Sequence, residues 1–184
     1  MNPAQQITVA YDGSPQSEIA FHQALKMTRG LVVANVHVIC VAEQVGEKVR
    51  LPTGEVLSHW AAREAIHHII VGHAQQIVGG ERLANVYVHL RTGDPAQLIV
   101  DLAYRFHADL ILMGAGGRGG GAHIGRVAHD VLELSDIPVE LQTAFTSSSQ
   151  GRRFNALRFA YVFGGPDLRQ ENFSAAPRGE AASA

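Results

Sequence analysis

The sequence predicts an α/β protein in which a parallel β-sheet lies between two layers of helices. Short apolar runs rich in β-branched residues alternate with longer amphipathic segments along residues 1–145. Proline or glycine turns separate the segments, as expected where crossover helices join parallel strands. Seven of the twelve residues from Gly114 to Gly125 are glycine, and they directly follow an apolar run. We therefore expect a three-layer α/β/α domain, Rossmann-like, with five parallel strands.

The first half of the chain is predicted to contain two strands and two helices. Ser14 is a suitable N-cap for the first helix, and Pro15 suits its first turn. Ile66, Ile70 and Ala74 recur at helical spacing in the second helix. The expected order is a strand at 7–11, a helix to about 29, a strand at 31–41, a polar connection over 42–53 and a helix over about 55–78.

The second half repeats this pattern and ends on a strand that contains proline. Asp94 followed by Pro95 repeats the cap-then-proline start of a helix. Pro138 cannot donate to a sheet ladder, so its strand is expected at a sheet edge. The expected order is a strand at 86–90, a helix from about 95, a strand at 109–113, a short helix after the glycines and a strand at 137–141.

Residues 146–184 differ in character from the preceding domain. Residues 147–151 are a polar linker, and the last dozen residues are rich in alanine, serine and proline. We expect a mostly irregular, low-complexity tail there. The apolar segment 154–163 interrupts it, and this segment has three interpretations: docking onto the domain, binding of a partner, or no packing role.

Composition excludes several classes of function. A net charge of −2 lacks the basic excess typical of nucleic-acid binders. The single cysteine, Cys40, lies in an apolar run and is expected to be a buried, inert thiol. No secretory signal is apparent at the first residues, and no apolar run approaches the ~18 residues of a membrane span. We predict a cytoplasmic protein that binds neither nucleic acid nor membrane.

Two segments are candidates for a ligand site. Asp12–Ser14 follows the first strand, and the glycine run follows the fourth; ligands of open parallel sheets lie at such carboxyl ends. Glycine lets backbone N–H groups approach a phosphate, and Arg118 and Arg126 add positive charge. A flexible surface loop is the alternative interpretation of the glycine run.

Metal and catalytic sites are not predicted. Nothing resembles a zinc signature among the histidines of the long helix, and no pair of them is four residues apart; they are His59, His67, His68 and His73. His123 and His129 lie near the glycine run, where they could contact a ligand. No nucleophile–base set can be assembled, so we expect no dedicated catalysis. Slow background hydrolysis of a bound ligand is compatible with this expectation.

Three stretches together resemble the universal stress protein family over about residues 5–143. They are VAYDGS at 9–14, then TGDPA at 92–96 with ADLILMG at 108–114, and finally GAGGRGG at 114–120 with IPV at 137–139. The resemblance implies a five-stranded parallel sheet, a homodimer paired through the last strand and a stress-response or regulatory role. In one branch it also implies ATP binding, with Mg²⁺ as a potential companion.

The resemblance also implies where a nucleotide would bind. An aspartate after the first strand contacts the nucleoside, a position matched by Asp12, and a backbone group near Val41 meets the adenine. The phosphates lie on a motif whose first half is matched by Gly114 and Gly117. The predicted nucleotide-binding residues are Asp12, Gly13, Ser14, Val41, Gly114, Gly117, Arg118, Gly119, Gly125 and Arg126.

The second half of the phosphate motif departs from the family pattern. Seven rather than nine residues separate Gly117 from Gly125, and Arg126 replaces the usual serine or threonine. The sequence is therefore compatible with three functions. They are an ATP-binding regulatory module, a dimeric interaction module that has lost nucleotide binding through its shortened loop, and an enzyme of the adenine nucleotide α-hydrolase type, which needs catalytic groups that the sequence does not reveal.

Overall fold

The predicted alternation of strands and helices is present in the structure, a computed structural model that describes residues 5–28, 33–78, 85–116, 124–143, 158–162 and 170–173. The helices of this part of the chain are α1 (Pro15–Met27), α2 (His59–Val78), α3 (Pro95–Arg105) and α4 (Arg126–Leu134). Its strands are β1 (Gln5–Ala10), β2 (Ala34–Val45), β3 (Lys48–Arg50), β4 (Val56–Ser58), β5 (Asn85–Thr92), β6 (Leu110–Gly114), β7 (Val139–Gln142), β8 (Arg158–Val162) and β9 (Gln170–Phe173).

The five predicted strands lie side by side in the order β7-β6-β1-β2-β5, and all neighbouring pairs among them are parallel. The winding reverses beside β1, because β2 lies on one side of it and β6 on the other. β7 ends this order at a sheet edge, as Pro138 predicts. The reversal point is where open α/β sheets place their ligands.

Each face of the sheet is covered by its own apolar core. Strand residues alternate between the faces, so Ile7 and Val9 pack with α1 and α2, whereas Ile39 and Ile111 pack with α3 and α4. Phe21, fully buried, is among the largest side chains of the first core. These two cores confirm the three-layer α/β/α fold.

Two helices begin as the sequence predicts. The Ser14 Oγ accepts a hydrogen bond from the Ser17 N–H at 3.2 Å, and the Asp94 Oδ1 accepts one from the Gln97 N–H at 3.0 Å. A proline follows each cap, at a position whose missing N–H has no partner in any helix. The cap and the proline together define the first residue of each helix, and both helices begin beside the carboxyl ends of strands.

The predicted polar connection over 42–53 is wrong. β2 continues to Val45 and turns back through β3 and β4, so α2 begins at His59 rather than near residue 55. Gly46, with φ +59°, forms the tight turn between β2 and β3. Val49 and Leu51 are buried in the first core, and two such residues are too few to show a strand pattern in the sequence.

The tail contains two short strands that the sequence analysis did not predict. β8 pairs parallel with β5 and falls within the apolar segment 154–163, and β9 pairs antiparallel with β8. In the described part of the chain, no helix is both long enough and apolar enough to cross a bilayer.

A pair of histidines is buried in the core beneath α3. The Nδ1 of His37 lies 3.1 Å from the Nε2 of His89, and both rings stack on Phe106, with centroids 4.1 and 4.7 Å away. Burial lowers the pKa of His37 to about 4. Burial, His37 and the nearby positive charge of Arg91 lower the pKa of His89 well below its usual value. Both rings are therefore neutral near pH 7.

This pair predicts a loss of stability in mild acid. A histidine with a depressed folded-state pKa is protonated first in the unfolded chain, so stability is fully present above pH 6.5 and falls toward pH 4. His37 alone should remove roughly 2–3 kcal/mol of unfolding free energy by about pH 4.5. In denaturant titrations, His37→Gln should flatten this dependence.

The matched control is His68→Gln, because the His68 side chain is 78% exposed. It should retain the pH dependence of the unmodified protein. An equal flattening in both variants would show that the buried pair does not cause the acid sensitivity.

Candidate functional site

A cavity of about 790 Å³ opens at the carboxyl ends of β1, β2 and β6, where the winding of the sheet reverses. The N-termini of α3 and α4 border it, through residues that include Pro95 and Arg126. Its size falls within the range of small-molecule sites. The two segments that the sequence singled out, after the first and fourth strands, therefore meet at one cavity.

The turn after β1 holds Asp12 at the cavity wall. The Asp12 Oδ1 accepts a hydrogen bond from the Ser14 N–H at 3.0 Å, and the Ser17 hydroxyl donates to the Ser14 carbonyl at 2.9 Å. Gly13 has φ +73°, a conformation that glycine adopts without strain. One carboxylate oxygen of Asp12 thus fixes the turn, which leaves the other able to accept a hydrogen bond from a ligand.

Gly114, at the end of β6, lets α1 approach the sheet closely. A Cβ atom placed there would lie 2.7 Å from the Gln16 Cβ and 3.1 Å from the Ser17 backbone nitrogen. Any side chain at this position would push the start of α1 away from the strand. The first glycine of the run therefore has a packing role in addition to lining the cavity.

The N-terminus of α4 faces the cavity without a side-chain cap. Gly125 is its N-cap residue and makes no side-chain hydrogen bond, while its own N–H donates to the Ala115 carbonyl at 2.7 Å. Arg126, Val127 and Ala128, whose N–H groups have no partner within the helix, line the cavity. Such a helix end attracts anions through these N–H groups and through the helix dipole.

Arg126 itself extends its side chain into solvent along α4. Its side chain is 86% exposed, and its Nε lies 3.5 Å from the Asp130 Oδ2 one turn further along α4. Its guanidinium is therefore placed for longer-range attraction of an anion, while the backbone of the first turn remains accessible.

The opposite wall comes from the β2–β4 hairpin, defined here as residues 43–58. Glu43 and Arg50 both line the cavity, and the Arg50 Nη1 lies 2.6 Å from the Glu43 Oε2. Sequence reasoning missed this wall because it treated the region as a connection. The alternation of polar and apolar residues at 48–51 is a local strand signal, but four residues are too few to predict a strand from it.

The predicted site residues fall into three groups. Five line the cavity: Asp12, Val41, Gly114, Gly125 and Arg126. Two shape the turn after β1 without lining the cavity: Gly13 and Ser14, whose side chain is buried and serves as the helix cap. Three lie outside the described residues: Gly117, Arg118 and Gly119. Ser17, which the sequence analysis did not select, also lines the cavity.

Two groups near the cavity are held in unreactive protonation states. Tyr11 lines the cavity, and its hydroxyl oxygen lies 3.4 Å from the His73 Nδ1. Burial is the main reason why the pKa of its phenol is raised. Burial raises the pKa of the Cys40 thiol to about 12, and its side chain is fully buried. The predicted burial of the cysteine is confirmed, and both groups remain protonated near neutral pH.

His129 is part of α4 and does not line the cavity. It lies among the carboxylates of Asp130 and Glu133, with potential metal-ligand atoms within 4.8 Å of one another. These side chains are largely exposed, and they also form ion pairs along the helix. His123 lies outside the described residues.

The fold and cavity define a doubly wound α/β domain with a cavity at its topological switch point. The sequence profile of the universal stress protein family matches residues 3–141. The chain belongs to the universal stress protein family. No curated protein sequence matches it significantly.

Solved structures of the same family share the fold. A universal stress protein from Archaeoglobus fulgidus is 21% identical, with a TM-score of 0.53 over 77% of this chain and 99% of its own. The Archaeoglobus fulgidus protein in complex with dAMP is 20% identical, with a TM-score of 0.51 over 78% and 100%. A family member from Arabidopsis thaliana with AMP bound is 16% identical, with a TM-score of 0.52 over 79% and 96%.

Proposed function

We propose that this protein is a regulatory module of the universal stress protein family that binds an adenine nucleotide in the cavity at the ends of β1, β2 and β6. The observation that carries the proposal is the meeting of Asp12 with the uncapped N-terminus of α4 at one cavity. A nucleotide combines an anionic group with polar hydroxyls and a flat base. The cavity offers a suitable partner for each of these parts.

The phosphate binds at the start of α4. The N–H groups of Arg126, Val127 and Ala128 point toward the free end of the helix, where they donate to phosphate oxygens. The absence of a side-chain bond at Gly125 leaves no competing acceptor from the cap residue. Arg126 adds attraction from its exposed position, although it replaces the hydroxyl residue of the family motif.

The nucleoside lies toward β1 and β2. The carboxylate of Asp12 accepts hydrogen bonds from the ribose hydroxyls, as the family resemblance implies. Val41 lines the same cavity at β2, where its backbone meets the adenine. The solved relatives with AMP and dAMP bound are consistent with a ligand of this size. ATP, with Mg²⁺ as its companion, is the longer ligand to be tested beside AMP.

The proposed role is binding rather than dedicated catalysis. Nucleotide occupancy would alter the protein's assembly or its partners in a cytoplasmic stress response. A homodimer through β7 fits this role, because β7 ends the sheet formed by the described residues and offers its outer edge for pairing with a second copy. Slow ATP hydrolysis would appear as phosphate release over hours, and turnover well above that rate would favour an enzyme.

The proposal is tested by identifying the small molecules that the purified protein carries. Mass spectrometry of the supernatant after heat denaturation should detect an adenine nucleotide in a near-stoichiometric amount. Calorimetry on the nucleotide-free protein should then give saturable binding of AMP or ATP. Neither bound nucleotide nor measurable binding would favour the second function, a dimeric interaction module that has lost its ligand.

A further inference from the structure

The β2–β4 hairpin is a fixed wall of the cavity. Val49 and Leu51 anchor it, because both are buried in the core beneath α2. The Gln44 side-chain amide donates to the carbonyls of Gly46 and Lys48, at 2.6 and 3.1 Å, which closes the turn between β2 and β3. Thr53 lies against the turn after β1, with its methyl group 3.3 Å from where a Cβ of Gly13 would be.

Glu43 and Arg50 form a cross-strand pair on this wall. They are opposite each other in the β2–β3 register, and the side chain of Arg50 lies on the far side of the strand from Val49. The Arg50 Nη1 donates to the Glu43 Oε2 at 2.6 Å. A guanidinium has five N–H donors and a carboxylate has two acceptor oxygens, so the pair still offers a donor beside an acceptor.

The pair lies at the end of the cavity opposite to α4. β1 separates β2 from β6, and adjacent strands are about 4.8 Å apart, so the ends of β2 and β6 are about 10 Å apart. α4 follows β6 and packs on α3 and β7, on the side away from β2. A nucleotide whose phosphate is at α4 therefore extends its base toward β2 and the hairpin.

We propose that Arg50 and Glu43 read the nucleobase and select a 6-aminopurine over a 6-oxopurine, an inference that rests on the proposed function. Adenine presents the N7 acceptor beside the 6-amino donor, which complements an arginine donor beside a carboxylate acceptor. Guanine presents N7 beside the O6 acceptor. Its O6 would face the Glu43 carboxylate, which has no proton to donate.

The test compares AMP with GMP by calorimetry in the unmodified protein and in Glu43→Gln. The unmodified protein should bind AMP about tenfold or more tightly than GMP, in line with the discrimination typical of such paired contacts. Glu43→Gln should bring the ratio close to one, because an amide both accepts and donates. Arg50→Met should weaken both nucleotides, because it removes the donor to the N7 acceptor that both bases share, and AMP should remain preferred because Glu43 is retained.

Glu47→Gln is the matched control, since Glu47 is an exposed glutamate of the same hairpin that does not line the cavity. It should retain the AMP preference of the unmodified protein. An unchanged ratio in Glu43→Gln, with AMP still bound, would overturn the base-reading role and leave the proposed function standing. Binding of neither AMP nor GMP by the unmodified protein would overturn both.

Discussion

Replacing Gly114 by valine is expected to destabilise the domain by about 3 kcal/mol and to abolish ligand binding. Its Cβ would lie 2.7 Å from the Gln16 Cβ and 3.1 Å from the Ser17 backbone nitrogen. Because backbone cannot rotate away as a flexible side chain does, α1 must move off the sheet. That movement displaces the turn that carries Asp12. Denaturant unfolding and nucleotide titration would measure the two effects.

The same substitution at Gly72 is the control. Gly72 lies within α2, and a Cβ atom there would meet nothing within 4 Å. Valine is a slightly better helix former than glycine, so Gly72→Val should change the unfolding free energy by less than about 1 kcal/mol. A comparable loss in both variants would show that the close approach of α1 to β6 is not what makes Gly114 sensitive.

Replacing Asp12 by alanine is expected to lower adenine nucleotide affinity by about 30-fold or more. Removing a charged hydrogen-bond partner typically removes about 2 kcal/mol, which corresponds to that factor. The variant also loses the hydrogen bond that Ser14 donates to the Asp12 Oδ1, so the turn itself becomes less fixed. Calorimetry on nucleotide-free protein would measure the loss.

Asp12→Asn separates the two contributions. Asparagine keeps one side-chain oxygen that accepts from the Ser14 N–H, but it removes the negative charge and replaces the second acceptor oxygen with an NH2 donor. Its affinity should therefore lie between those of the unmodified protein and Asp12→Ala, while its unfolding free energy stays near that of the unmodified protein. Nucleotide affinity unaltered by either substitution would remove Asp12 from the site.

Much of the fold was predictable because its signals are local. The caps at Ser14 and Asp94, each followed by proline, mark helix starts within four residues of sequence. The central strands are buried on both faces and therefore appear as continuous apolar runs. The position of the cavity then follows from the rule that ligands of open parallel sheets lie beyond the carboxyl ends of the strands, where the winding reverses.

The hairpin could not be predicted in the same way. Its strands β3 and β4 have three residues each, too short to show a period. Their conformation depends on pairing with the extended end of β2 and on burial of Val49 and Leu51, and both are tertiary effects. Because Arg50 and Glu43 lie on this hairpin, this part of the cavity wall was absent from the sequence prediction.

The phosphate end was predicted in outline only. Gly114 and Gly125 stand out in the sequence as glycines beside a buried strand, and both line the cavity. Gly13 and Ser14 also follow a buried strand, but neither lines the cavity. Gly13 forms the turn after β1, and Ser14 caps α1. A sequence pattern marks which backbone segments adjoin a site, whereas the direction of each side chain depends on the packing of α1 against β6.

The most direct test is an NMR titration that follows the backbone amides of Arg126, Val127 and Ala128. AMP should shift these three resonances strongly and saturably, because phosphate oxygens accept hydrogen bonds from the first turn of α4. Adenosine, which has no phosphate, should shift them much less. If AMP left these amides unchanged, or shifted them no more than adenosine does, the account of this cavity as a nucleotide site with its phosphate at α4 would be contradicted.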